Sequence, residues 1–141
     1  MANFPHASNE DLFIAQLKTG PHSALSHQTA LSVYGLSDAL PGEIHVTLPR
    51  SASRRRSGIR FHTKAITAEE ITHYEGLRVT TIARTLIDLF ESGFDPRQLR
   101  LAAEQAFERG LITPRQLAQS LNRRRPSLAK NFELLLGIKL Q

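Results

Sequence analysis

The sequence contains no cysteine, and only 6% of its residues are aromatic. The absence of cysteine excludes disulfides, thiolate metal sites and a cysteine nucleophile, and it suits the reducing cytoplasm. The few aromatic residues include none suited to an exposed stacking platform for nucleic-acid bases. No apolar run approaches the roughly 20 residues needed to cross a bilayer, and the N-terminus lacks the pattern of a signal peptide. We therefore expect a cytoplasmic protein with no membrane contact.

Carboxylates are missing from the most basic parts of the sequence. The segment from Ile44 to Ala68 holds six cations and no acid, which exceeds the net charge of +5 for the whole chain. A second acid-free stretch, from Arg109 to Phe132, also holds six cations. Cations concentrated in this way favour an anionic partner such as nucleic acid. The candidate nucleic-acid-binding residues are Arg50, Arg54, Arg55, Arg56, Arg60, His62, Lys64, Arg123, Arg124 and Arg125.

The usual patterns of catalytic and cofactor sites are also missing. The sequence has no HExxH, GxSxG, P-loop or GxGxxG pattern. His45 and His62 are candidates for neighbours on one face, but the arginines around them disfavour a divalent cation. Ser26 precedes His27, and we interpret it as a helix N-cap and not as a nucleophile. We therefore predict no enzyme activity, no metal and no cofactor.

Hydrophobic periodicity predicts an α+β fold. Two N-terminal helices are expected, the first with Leu12, Phe13 and Leu17 at helical spacing and the second ending at Gly35 in a left-handed C-cap. Strand patterns follow, and then helical spacing in which "DPRQL" and "TPRQL" each begin a helix. The order predicts two helices, a small, mostly antiparallel sheet of three to four strands, and a C-terminal helical bundle, all in a single domain over 1–141.

Two of the predicted strands carry most of the first basic segment. Apolar and polar residues alternate in "EIHVTLP" and in "IRFHTK", so alternate side chains lie on opposite faces. If these strands pair as a basic hairpin, the connecting loop with its three arginines extends from the basic face. The side chains expected on that face are those of His45, Arg60, His62 and Lys64. A further hairpin, "ITHYEGLRVT", is predicted to turn at Glu75 and Gly76.

Different interpretations of the basic surface stay open at this stage. Five or six phosphate contacts would give a log–log salt slope of about −5. Because no recognition helix for base contacts is evident, such binding would involve the nucleic-acid backbone. The alternative is a solvated loop whose arginines keep it soluble. A separate possibility is a protein-interaction module that binds a toxin or another acidic partner without any DNA contact of its own.

Four stretches of the sequence resemble the C-terminal domain of AbiEi-type antitoxins. These are "GPHSALSHQTALSVYGLSDALPGEIHVTLPRS", "GIRFHT", "YEGLRVTTIARTLIDLF" and "AFERGLITPRQL". The resemblance covers roughly residues 9–121 and leaves 122–141 as a basic segment with a terminal helix. None of the stretches is a catalytic motif, so the resemblance is to a domain more than to an activity.

The resemblance implies a transcriptional regulator of a type IV toxin–antitoxin system. In that family an N-terminal winged helix binds the promoter, and the C-terminal domain is required for antitoxicity and adds a positively charged DNA-facing surface. The toxin is a nucleotidyltransferase-like protein, which the antitoxin classically counters without a stable complex. This chain begins about where the winged helix would end, so we expect it to lack that reader. Some related architectures continue into a repair-type endonuclease, which we do not expect here.

Overall fold

The computed structural model describes residues 9–37, 42–50 and 58–140. The chain divides into two compact units, residues 1–81 and residues 82–141. We call them the sheet unit and the helical unit, and each is described by itself. The single domain over 1–141 stays a prediction.

The described residues form six α-helices and five strands. The sheet unit contains α1 (Asn9–Thr19), β1 (Ala24–Leu25), α2 (His27–Tyr34), β2 (Ile44–Leu48), β3 (Ile59–Thr63), β4 (Ile71–Tyr74) and β5 (Leu77–Thr80). The helical unit contains α3 (Ile82–Glu91), α4 (Pro96–Glu108), α5 (Pro114–Arg124) and α6 (Ala129–Leu136). The predicted α+β class is confirmed. Among the described helices, none is both long enough and apolar enough to span a bilayer.

The sheet is mixed, in the order β3-β2-β1-β5-β4, whereas the sequence predicts a mostly antiparallel one. The unpredicted strand β1 lies at its centre, antiparallel to β2 and parallel to β5. Its residue Leu25 is paired with Val46 on one side and Val79 on the other, and all three are fully buried. A two-residue strand is too short to show alternation, which is why periodicity does not reveal it.

The strands β2 and β3 pair in parallel, with Ile44 opposite Ile59 and Leu48 opposite Thr63. The prediction of a basic hairpin is therefore wrong, because a hairpin joins antiparallel strands. The connection between the two strands includes residues 51–57, which lie outside the described residues.

The predicted turn at Glu75 and Gly76 is confirmed, because β4 and β5 pair antiparallel on either side of it. Both turn residues have positive φ, 53° and 83°, as a type I′ hairpin turn requires. A Cβ atom added at Gly76 would also lie 3.1 Å from the ring of Phe13, so this ring would have to shift by a few tenths of an ångström.

The buried side of α1 is not the side that the helical spacing of Leu12, Phe13 and Leu17 predicts. Leu12 is buried, but Phe13 and Leu17 are exposed, and the helix buries Ala15 and Gln16 instead. The Oε1 atom of Gln16 accepts a hydrogen bond of 2.6 Å from the backbone N–H of Arg78 in β5. A polar residue thus occupies the core side because it satisfies a strand backbone group, which apolar periodicity cannot anticipate.

In the helical unit both predicted helix starts are confirmed. The side chain of Asp95 accepts a hydrogen bond from the backbone N–H of Arg97 at the start of α4. Thr113 and Gln116 form a reciprocal capping box at the start of α5. The core of this unit contains the fully buried residues Leu86, Leu99, Leu117, Leu121 and Phe132.

Candidate nucleic-acid interface

The polar face of β3 is set by its parallel register with β2. His45 lies opposite Arg60, and Thr47 lies opposite His62. Residues paired in this way have side chains on the same face of the sheet, and alternation adds Lys64, which directly follows β3. The sequence therefore places Arg60, His62 and Lys64 correctly on a shared face, although the strands pair in the other direction.

Three histidines from different elements meet on this face, and we call His27, His45 and His62 the histidine cluster. The rings of His27 and His62 stack with centroids 3.7 Å apart and planes inclined by 14°. The Nδ1 atom of His45 lies 2.9 Å from the Nε2 atom of His62. That neutral pair can form a hydrogen bond, because one nitrogen then donates and the other accepts. The expected proximity of His45 and His62 is confirmed.

Helix α2 covers the histidine cluster through residues at its start. The hydroxyl of Thr47 donates to the Oγ atom of Ser26 at 2.7 Å, and that Oγ atom lies 2.8 Å from Nδ1 of His27. Ser26 occupies the predicted N-cap position, but its side chain makes no capping hydrogen bond. His27 has a φ of 55°, a left-handed conformation that is uncommon for a residue other than glycine. The sequence does not reveal this use of Ser26 and His27, because it depends on the position of β2.

Burial lowers the pKa values of two of these histidines. Burial lowers the pKa of His62 to about 4, and electrostatic coupling to His45, Arg60 and Lys64 adds to this shift. Burial also lowers the pKa of His45, with Glu43 opposing the shift and Arg60 adding to it. The predicted site residue His62 is therefore uncharged at neutral pH. The positive charge of this face then comes from its lysine and arginines.

Arg60 is an exposed cation of the edge strand β3, with 64% of its side-chain surface accessible. Its Nη1 atom lies 3.8 Å from Oε1 of Glu43, which is itself partly exposed. Such a long, solvated ion pair contributes little and is weakened by salt. An incoming phosphate can therefore compete with Glu43 for the guanidinium group.

Arg50 and Lys64 lie beyond the carboxyl ends of β2 and β3. Because these strands are parallel, the two ends are next to each other, and the backbone N–H of Lys64 donates to the carbonyl of Leu48 at 3.0 Å. Arg50 is exposed and Lys64 is half-buried. The structure thus brings Arg50 and Lys64 to one edge of the sheet. Arg54, Arg55 and Arg56 lie outside the described residues, in the connection between these strands.

The second predicted basic group lies in the helical unit. Arg123 and Arg124 end α5, and Arg125 follows as its C-cap. Arg123 is exposed, whereas the Nη1 atom of Arg125 donates to a carboxylate oxygen of Glu91. Arg125 is therefore held by an acid that lies outside the acid-free stretch of the sequence. Only the folded chain brings the two residues together.

No group of three histidine, cysteine or carboxylate side chains in the described parts of the chain has an arrangement that would hold a metal ion. Nδ1 of His27 is engaged with the Ser26 hydroxyl, and Nδ1 of His45 with Nε2 of His62, so these ring nitrogens serve the packing of α2 on the sheet.

The family to which the chain belongs is shown by a match to a known protein family. The sequence profile of the AbiEi antitoxin C-terminal domain matches residues 23–138, well over half of the chain. The chain belongs to this family. The match includes the whole sheet from β1, the histidine cluster and all four helices of the helical unit. It begins later than the resemblance seen in the sequence and extends further, through α6. No curated protein matches the chain.

Membership in the AbiEi antitoxin family supports a role as an antitoxin in a toxin–antitoxin system, and it implies a toxin as the functional partner. The match covers both basic groups, in the sheet unit and in the helical unit.

Proposed function

We propose that this domain is the part of a type IV antitoxin that holds the phosphate backbone of DNA. In this account it serves in the cytoplasm as a module of a transcriptional regulator, without catalysis and without a cofactor. Its toxin is a nucleotidyltransferase-like protein. The observation that carries the proposal is the shared face of β3, where Arg60 and Lys64 flank the neutral His62.

Electrostatics favours phosphate as the ligand of this face. Arg60 and Lys64 both act on the proton affinity of His62, so their positive charges lie close to it. The only carboxylate that the described residues place in an ion pair with Arg60 is the partly exposed Glu43. An arginine held on a regular strand, and a lysine directly after it, bind phosphate at lower entropic cost than cations on a free chain. Phosphate contacts of this kind position a protein on nucleic acid without reading its sequence.

The proposal predicts that loss of the β3 cations weakens the salt dependence of DNA binding. For the double variant Arg60→Gln and Lys64→Gln, the log–log salt slope should fall in magnitude by about 2, because each lost phosphate contact removes about 1. Affinity for a duplex would be measured by fluorescence anisotropy at several salt concentrations. A second variant, with glutamine at Arg54, Arg55 and Arg56, measures the contribution of the connection separately.

The matched control for this experiment is Arg97→Gln. Arg97 is an exposed arginine on α4, next to Asp95, and its side chain belongs to the helical unit. The control removes one positive charge without touching β3, so its slope should equal that of the unaltered chain. An unchanged slope in the variant of Arg60 and Lys64 would show that phosphates do not bind at β3.

A protein-interaction function is the second candidate, and α1 favours it. Leu17 has 83% of its surface exposed, and Phe13 and Ile14 are also exposed large apolar residues. These three side chains lie on the side of α1 that faces away from the buried Leu12 and Ala15. An exposed apolar strip of this kind is suited to another protein, such as the toxin.

This second candidate predicts a complex that depends on Leu17 and not on salt. Leu17→Asp should weaken binding to the co-expressed toxin by at least tenfold, because it places a charge in an apolar contact. Leu134→Asp is the matched control, since Leu134 is an equally exposed leucine of the helical unit. Isothermal titration at two salt concentrations measures both. The absence of any complex at micromolar concentration would argue against a stable protein contact.

A further inference from the structure

The exposed side of α5 consists entirely of amide and guanidinium side chains. The residues on this side are Arg115, Gln116, Gln119, Asn122 and Arg123. At 100° per residue they fall within an arc of roughly 120°, opposite the buried Leu117, Ala118 and Leu121. We call Arg115, Gln119, Asn122 and Arg123 the α5 stripe. Gln116 is set apart because its side chain is used in the capping box with Thr113.

The α5 stripe has no partner within the described parts of the chain. None of its four side chains makes a hydrogen bond or an ion pair there. The neighbouring helix α4 differs, because its exposed side mixes charges of both signs and contains the ion pair of Arg100 with Glu104. A solvated helix surface usually resembles α4, with acids and bases at a spacing of four residues. The α5 stripe has no acid at all.

Helix stability explains only part of this composition. Arg123 lies in the last turn, where a cation interacts favourably with the helix dipole. Gln119 and Asn122 carry no charge and gain nothing from that effect. Asparagine is also a poor helix former compared with the alanine, lysine or glutamate usual at exposed positions. The donor and acceptor groups of these two amides are therefore free to serve a ligand.

The dimensions and chemistry of the α5 stripe fit the major groove of duplex DNA. From Arg115 to Arg123 it extends about 12 Å along the helix axis, since each residue rises 1.5 Å. The major groove admits one α-helix. Arginine forms paired hydrogen bonds with guanine, and asparagine or glutamine forms them with adenine. The stripe thus offers side chains for both purines, together with an acid-free surface that phosphates do not repel.

We propose that α5 lies in the major groove and reads bases through Gln119 and Asn122, with Arg115 and Arg123 contacting guanine or phosphate. This inference rests on the proposed DNA-binding function and adds sequence discrimination to it. The amino-acid sequence alone indicates no recognition helix. Which residues of α5 face outward is fixed by the packing of Leu117 and Leu121 in the helical unit, so the stripe becomes visible only in the fold.

The test measures sequence discrimination and salt dependence separately. The chain of residues 1–141 would first select preferred duplexes from a random library. The ratio of dissociation constants for a selected and a scrambled duplex would then be compared with that of Gln119→Ala with Asn122→Ala. This variant should lose about tenfold to a hundredfold of the discrimination, because paired base contacts are lost. Its salt slope should not change, since no charge is removed.

The matched control is Gln98→Ala with Gln105→Ala, which removes two exposed amides from α4. Alanine is a better helix former than glutamine or asparagine, so both variants should keep their helices, as circular dichroism would verify. Full discrimination in the α5 variant, with salt-dependent binding intact, overturns the inference about α5 alone. Selection of no preferred duplex also overturns it. Binding to RNA or to an acidic protein only, without salt-dependent duplex binding, overturns both the inference and the proposed function.

Discussion

At the scale of single residues, His62 is a side chain whose pKa is lowered both by burial and by nearby positive charge. It is stacked against His27 and lies near the charges of Arg60 and Lys64. Its pKa in the folded protein, about 4, is below the ordinary value of 6.5. The unfolded chain therefore binds more protons than the folded chain between these two values. Folding stability must rise with pH across this interval and fall as the medium becomes more acidic.

We expect the free energy of unfolding to decrease by about 2 kcal/mol between pH 7 and pH 4.5, after allowance for solvent screening of a half-buried group. The variant His62→Phe keeps a ring against His27 and removes the titrating group, so its stability should depend less on pH. Urea unfolding followed by circular dichroism measures both. His22→Gln, at an exposed histidine in the turn after α1, is the control. If His62→Phe showed the same pH dependence as the unaltered chain, the lowered pKa of His62 would be refuted.

At the scale of elements, α3 contains a buried ion pair. The Nε atom of Arg84 donates to Oδ1 of Asp88 at 2.8 Å, and the two side chains are 1% and 0% exposed. Helix α4 contains a pair at the same spacing, Arg100 with Glu104 at 3.1 Å, but both of these side chains are about half exposed. The two pairs differ mainly in burial, so they form a natural comparison.

Asp88→Ala should lower the free energy of unfolding by about 3–5 kcal/mol, because it leaves the Arg84 guanidinium buried without its carboxylate. Glu104→Ala, the matched control, should cost no more than about 0.5 kcal/mol. Chemical denaturation at pH 7 gives both values. Equal effects of the two substitutions would mean that burial does not determine how much the α3 ion pair contributes to the free energy of unfolding.

The elements also show which parts of the fold can be predicted from the sequence. Local signals predict the caps of α4 and α5, the Gly35 C-cap and the turn at Glu75 and Gly76, because each depends on neighbouring residues only. Alternation correctly places Arg60, His62 and Lys64 on one face. The parallel direction of β2 and β3 is not predictable in this way, since alternation is the same for either direction.

Structural features that depend on contacts between residues distant in sequence cannot be predicted from local patterns. The strand β1 is too short for a pattern, and the inward position of Gln16 depends on the backbone of Arg78 in β5. The histidine cluster joins three elements, and the sequence predicts only that His45 and His62 are neighbours. Likewise the ion pair of Arg125 with Glu91 joins residues 34 positions apart.

At the scale of the whole molecule, the basic residues form two groups, one in each compact unit. The sheet unit offers cations on and beside β3, and the helical unit offers the acid-free α5 stripe. The first group suits phosphates, and the second adds groups that can contact bases. This division of roles between backbone contact and base readout is the usual one in proteins that bind duplex DNA.

The most direct test of the central claim is a residue-resolved NMR titration of the whole chain with duplex DNA, at low salt and again at high salt. If β3 holds phosphates, the amide signals of Arg60, His62, Lys64 and Arg50 shift at low salt. These shifts should be lost at high salt, whereas the signals of Leu101 and Gln105 on α4 stay unchanged in both. Shifts confined to other parts of the molecule, with β3 unaffected at low salt, would contradict the claim that this strand holds phosphates.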